Sequence, residues 1–174
     1  ERFGLDIRTE PIPFTSQDIE TRYPFEYPVT IDGGYGTGNL TSQKSTIVNS
    51  KIDNWLNDAT QTVNSGLRRD MPPSDYFELA ARNLSENYSI SPNSQQLLDR
   101  SILLKDSNRA VTIGERVECM GGSVVCFEAS AVLQDAGAKL SYESRVVGAK
   151  NAISGEKGHA WLEFVDTDGT IKVL

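Results

Sequence analysis

The sequence predicts an α+β domain in which a helical N-terminal portion packs on a small antiparallel sheet. Three observations carry that reading. Apolar residues recur at helical spacing in two stretches before residue 90 and again around Cys126. From Ala160 to Val165 the pattern changes to the alternation of a strand. Asp166-Thr167-Asp168-Gly169 then supplies hairpin chemistry, and Thr170 to Leu174 returns as the partner strand.

Residues 1–44 read as an irregular N-terminal arm. Pro11, Pro13, Pro24 and Pro28 break any long helix, and Tyr23-Pro24-Phe25-Glu26-Tyr27-Pro28 reads as extended segments with turns. Gly33-Gly34-Tyr35-Gly36-Thr37-Gly38, followed by Lys44-Ser45, invites a phosphate-loop reading. Gln43 stands where that motif needs glycine and no apolar strand leads in, so a plain loop fits better.

The domain proper is expected over 45–174. From Thr46 to Leu67, the positions Val48, Ile52, Trp55, Leu56, Ala59 and Val63 fall at helical spacing, with Gly66 at the exit. After Met71-Pro72-Pro73, Ser74 and Asp75 open a second helix over Tyr76–Tyr88. Asp75 and Glu78 fit a capping box there, and Phe77, Ala80, Ala81, Leu84 and Tyr88 form its buried stripe. Ser91-Pro92-Asn93-Ser94 opens a third helix through Leu97, Leu98, Ile102 and Leu103. Arg109 to Cys119 reads as a strand, weakened by Gly114. Val125, Ala129, Val132, Leu133 and Ala136 then mark one face of a helix begun at Cys126, with Gly137 as its stop.

At 174 residues the chain can bury one core. A net charge of −7 without a Lys/Arg cluster disfavours nucleic acid as a partner. No apolar run reaches the length of a membrane span. Glu1 reads as a cut rather than a natural beginning, since no leader or Met precedes it. Cys119 and Cys126 make no disulfide framework and fit a reducing compartment, the cytoplasm. The triplets at Asn39, Asn83 and Asn87 matter only in a secretory pathway.

Chemistry concentrates in the C-terminal third. His159 is the sole histidine, so any imidazole chemistry falls to it. Cys126 follows Gly121-Gly122-Ser123 and opens a helix, where unpaired N–H groups and the positive dipole end favour thiolate. A lone cysteine among apolar residues is ordinarily an inert small hydrophobe, and a lone histidine often only bridges backbone groups. It is the two together, 33 residues apart, that point to a nucleophile and its base.

A Cys opening a helix, a Gly closing it, a strand ending Val146-Val147-Gly148, and Gly158-His159-Ala160-Trp161 opening another strand resemble the transglutaminase-like cysteine superfamily. The resemblance covers the C-terminal third. It implies a papain-like core in which Cys126 attacks an amide or thioester carbonyl and His159 shuttles the proton. It also implies an orienting Asp after the hairpin. Asp166 and Asp168 lie in the turn and point away from the histidine, so that acid is expected just beyond Leu174.

Backbone N–H groups near Val125 and Cys126 are expected to hold the oxyanion, with Trp161 walling the site. No metal cage is visible and no cofactor is expected. The substrate is a protein or peptide amide; water as acceptor gives a protease or glutamine deamidase, an amine gives a transglutaminase. Families with this core include bacterial toxins and secreted effectors, which would place the chain in a host cytoplasm. Cys126-Phe127-Glu128 after paired glycines also resembles the arylamine N-acetyltransferases, although those set the glycines closer to the cysteine and add a larger lid domain. The competing class is a non-catalytic interaction domain that keeps the fold.

Overall fold

The computed structural model describes residues 19–22, 29–31, 46–90, 110–153 and 157–174. In chain order these hold β1 (Ile19–Arg22), β2 (Val29–Ile31), β3 (Thr46–Val48), α1 (Asn54–Val63), α2 (Pro73–Asn87), β4 (Val111–Thr112), α3 (Ile113–Cys119), α4 (Cys126–Lys139), β5 (Ser144–Ile153), β6 (Lys157–Val165) and β7 (Ile171–Val173). One sheet is antiparallel throughout, in the order β1-β5-β6-β7. A second runs β2-β3-β4, with β2 antiparallel and β4 parallel to β3. The class is α+β, as expected. The expected third helix and the glycine-rich loop lie outside the described residues. The stretch read as an irregular arm supplies β1 and β2, one strand to each sheet.

Helix starts follow side chains that satisfy the first unpaired N–H groups, and Asp53 does this for two helices. Its Oδ1 accepts from Leu56 N at 3.1 Å at the head of α1, and its Oδ2 accepts from Gly114 N at 2.9 Å in the first turn of α3. The helix expected from Thr46 therefore begins eight residues later, at Asn54. Thr46–Val48 is instead strand β3, and Ile52 on the connecting turn is exposed. The strand expected over Arg109–Cys119 shrinks to β4. Thr112 and Glu115 form a capping box, with Thr112 N donating to Glu115 Oε2 at 2.8 Å and Glu115 N to Thr112 Oγ1 at 3.2 Å, so the chain turns into α3. Helix α2 opens earlier than expected, at Pro73, whose ring suits a first-turn position and whose missing N–H leaves nothing unpaired there.

Helix α4 is central. Every residue from Phe127 to Gly137 is buried, as befits a helix covered on all sides. Leu56, Ala59 and Val63 of α1 and Phe77, Ala80 and Leu84 of α2 share one core with it, and Val146, Ala160, Leu162 and Phe164 of β5 and β6 join that same cluster. Gly137 is not the stop. It lies inside α4 because a Cβ there would stand 2.9 Å from Phe77 Cζ. The helix ends at Lys139 with Leu140 as its C-cap; Ser141 then takes a left-handed φ of 66° and Tyr142 N donates back to Gly137 O at 2.9 Å. Tyr142 then stacks on Tyr76 at 4.2 Å.

The β6–β7 hairpin forms as expected. Asp168 Oδ1 accepts from Thr170 N at 2.9 Å, and Gly169 supplies the positive φ of the turn. Asp166 ties the hairpin to α2, accepting from Ser74 Oγ at 2.9 Å and pairing with Lys172.

Two outcomes follow. Gly137→Ala drives a methyl against Phe77, and overpacking of ~1–3 kcal/mol outweighs the ~1 kcal/mol gained in helix propensity. The urea midpoint should fall; a midpoint unchanged or raised would mean that the Phe77 ring gives way. The Lys172 hydrogen bond, ahead of smaller contributions, holds the Asp166 carboxyl down to about 2. A carboxyl lowered by folding stabilises above its unfolded value, ~3.9, and loses that contribution as the pH falls further. Asp166→Asn should accordingly flatten the acid limb of chemical-denaturation stability between about pH 4 and pH 2; curves that stay parallel would refute the assignment.

Candidate functional site around Cys126

Cys126 is the first residue of α4, and the segment before it is fixed from several sides. Gly121 and Gly122, at φ 69° and 86°, turn the chain after α3. Gly122 N donates to Val117 O at 2.9 Å, and Val124 N donates to Ser89 O at 2.9 Å beside the parallel bridge of Ile90 with Val124. Glu128, wholly buried, accepts from Arg116 Nε at 2.8 Å through Oε1 and from Val125 N at 3.3 Å through Oε2. The Arg116 guanidinium also lies 4.8 Å over the Phe127 ring.

The sulfur meets the edge of β6. Leu162 of β6 and Leu174, the residue after β7, exchange hydrogen bonds at 3.3 and 2.9 Å. In an antiparallel ladder the amide two residues along points to the same edge, and that amide, of Ala160, acts on the Cys126 thiol to lower its pKa. His159 is the residue before Ala160, paired across the ladder with Ala149 of β5. The backbone thus sets the sole histidine one residue from the amide that holds the sulfur.

Burial raises the thiol most. The Ala160 amide opposes it, the Glu128 charge adds to it, and the Phe127 and Cys126 amides oppose it again, leaving the thiol pushed up to about 11. The expected lowering by the helix N-terminus is therefore reversed. The first-turn amides do favour thiolate, but a buried sulfur beside a carboxylate loses more than they return.

Two other expected site residues stand differently. The Val125 N–H expected at the oxyanion is engaged by Glu128 Oε2, whereas the amides of Cys126 and Phe127 face the sulfur. Trp161 is buried, but strand alternation sets it on the reverse face from Ala160, Leu162 and Phe164, which meet α4. It stands opposite Val147 and on the face of the Arg145–Glu163 pair. Cys119 lies on α3 rather than a strand, and no disulfide joins it to Cys126.

Arg116 and Glu128 were not legible as a pair. Glu128 reads as a first-turn acid, and Arg116 falls inside the predicted strand. The one signal was Thr112-x-x-Glu115, a capping-box spacing that moves Arg116 onto a helix. Among the described residues, no three or more His, Cys, Asp or Glu side chains gather as a metal site requires, and no helix is long and apolar enough to cross a membrane. No protein-family model matches the chain, and no curated protein or solved structure matches it significantly.

A thiol raised by folding stabilises below its unfolded value, ~8.5, and loses that contribution as the pH climbs through the folded one. The stability of wild type relative to Cys126→Ala should hold steady up to about pH 8.5 and then decline towards about 11. A difference that stays level over that range would show a thiol ionising as it does in the unfolded chain.

Proposed function

We propose that the chain carries a transglutaminase-like cysteine site acting on amides of a protein or peptide, by hydrolysis or by transfer to an amine. The observation that carries this reading is the Cys126 sulfur held on the Ala160 amide, one residue beyond the only histidine. A thiol kept protonated at neutral pH needs a base at the moment of attack. The imidazole of His159 is that base.

Cys126 Sγ bonds to the amide carbon while its proton passes to His159 and the carbonyl π pair moves onto oxygen, near the Cys126 N–H. The imidazolium then protonates the nitrogen as the C–N bond breaks, releasing ammonia or an amine and leaving a thioester. Water attacking the thioester gives the acid, and an amine gives a new amide. Either acceptor loses a proton and the thiol is restored.

A second reading is favoured by one observation, the raised thiol: an interaction domain that keeps the fold while the cysteine is idle. The rate of iodoacetamide alkylation against pH separates them. General-base assistance by an imidazole gives wild type a second inflection, below the thiol's own alkaline limb, and His159→Ala loses that inflection alone. On glutaminyl peptides with and without a primary amine, His159→Ala should lower ammonia release by about 10²–10⁴-fold, and Cys126→Ala should abolish it. Identical alkylation profiles in wild type and His159→Ala, with no turnover, would leave the interaction domain.

A further inference from the structure

The buried ion pair next to the cysteine has no part in the scheme above. Glu128 is wholly buried, Arg116 nearly so, and the two come from different helices. Their contact at 2.8 Å ties α3 to the first turn of α4. Removing water from two charges is expensive, and such a pair rarely adds net stability over an apolar replacement. Its contribution here lies in position and charge. The second Glu128 oxygen takes the N–H of Val125, the N-cap of α4, while the amides of Cys126 and Phe127 act on the sulfur.

We propose that Arg116 and Glu128 are positioning residues for Cys126: the carboxylate fixes the first turn of α4 so that its amides face the sulfur, and the guanidinium cancels the carboxylate's field there. The inference rests on Cys126 being the reactive group. Glu128 is the charged group of α4 acting on the sulfur, Arg116 is its counter-ion on α3, and His159 is the neighbouring residue on β6. Arg145 of β5 and Glu163 of β6 pair with each other at 2.7 Å.

The alkaline limb of the iodoacetamide profile, which follows the thiol's own ionisation, reads the pair directly. Arg116→Met leaves Glu128 uncompensated and should move that limb up by about one unit, a roughly tenfold slower reaction at fixed pH below it. Glu128→Gln keeps an acceptor for the Val125 N–H and should move the limb down. The double variant should return close to wild type. Thermal melts run alongside: a role confined to stability lowers the melting temperature and leaves the limb where it was, which overturns the proposal, as do shifts of both single variants in one direction.

If Arg116→Met does not fold, Arg116→Lys and Glu128→Gln decide. The lysine variant should hold the limb at its wild-type place, the glutamine variant should lower it, and an unmoved limb in Glu128→Gln overturns the proposal. The inflection lost in His159→Ala is a separate limb. Its absence from wild type refutes the acyl-transfer reading and leaves the Arg116–Glu128 result standing on its own.

Discussion

Enclosing α4 is the constraint from which the rest of the fold follows. A helix whose residues 127–137 are all buried has no face to give to water, so it must be covered from every direction. Helices α1 and α2 cover one side and the inner face of β5 and β6 covers the other. That demand explains Gly137, where the Phe77 ring comes too close for any side chain. It also explains the exit, where Ser141 accepts a left-handed φ so that Tyr142 can turn back onto Tyr76 and Phe77.

Enclosure also sets the chemistry at the head of the helix. In water, a helix N-terminus and a ring of amides favour a thiolate. At the edge of the core, where Cys126 is partly buried, the same amides compete with the loss of solvent and with Glu128, and desolvation prevails. A thiol in this position stays protonated at neutral pH. Its neighbour in the backbone is the Ala160 amide of β6.

Carboxylates at helix starts recur as the joints of the structure. Asp53 joins α1 to α3, and Glu128 joins α3 to α4. Asp166 binds the β6–β7 hairpin to the head of α2. Each accepts hydrogen bonds or an ion pair from two elements, and each of the first two satisfies N–H groups that a helix leaves unpaired at its start. The fold is thereby fixed at the ends of its elements as well as along their apolar faces.

Local chemistry made several features legible from residues alone. The stripe of α2, the helix after Cys126, the alternation of β6 and the Asp-Gly hairpin all follow from periodicity and turn preference. So does the coincidence of one cysteine and one histidine in the same third of the chain. Where sequence reasoning failed, a distant partner had decided. Thr46–Val48 carries the apolar spacing of a helix but is drawn into a sheet by β2 and β4, whose paired residues lie 15 to 19 and 65 positions away, as in Ile31–Thr46 and Val111–Thr46. Gly114 sits under the Asp53 carboxylate, and Gly137 under Phe77. The sequence by itself determined which residues could be helix, strand or nucleophile, because those properties depend on near neighbours and side-chain type. Only the tertiary structure decided what the sulfur meets and whether its charge is tolerated, because burial and opposing charge are set by residues that come together through folding.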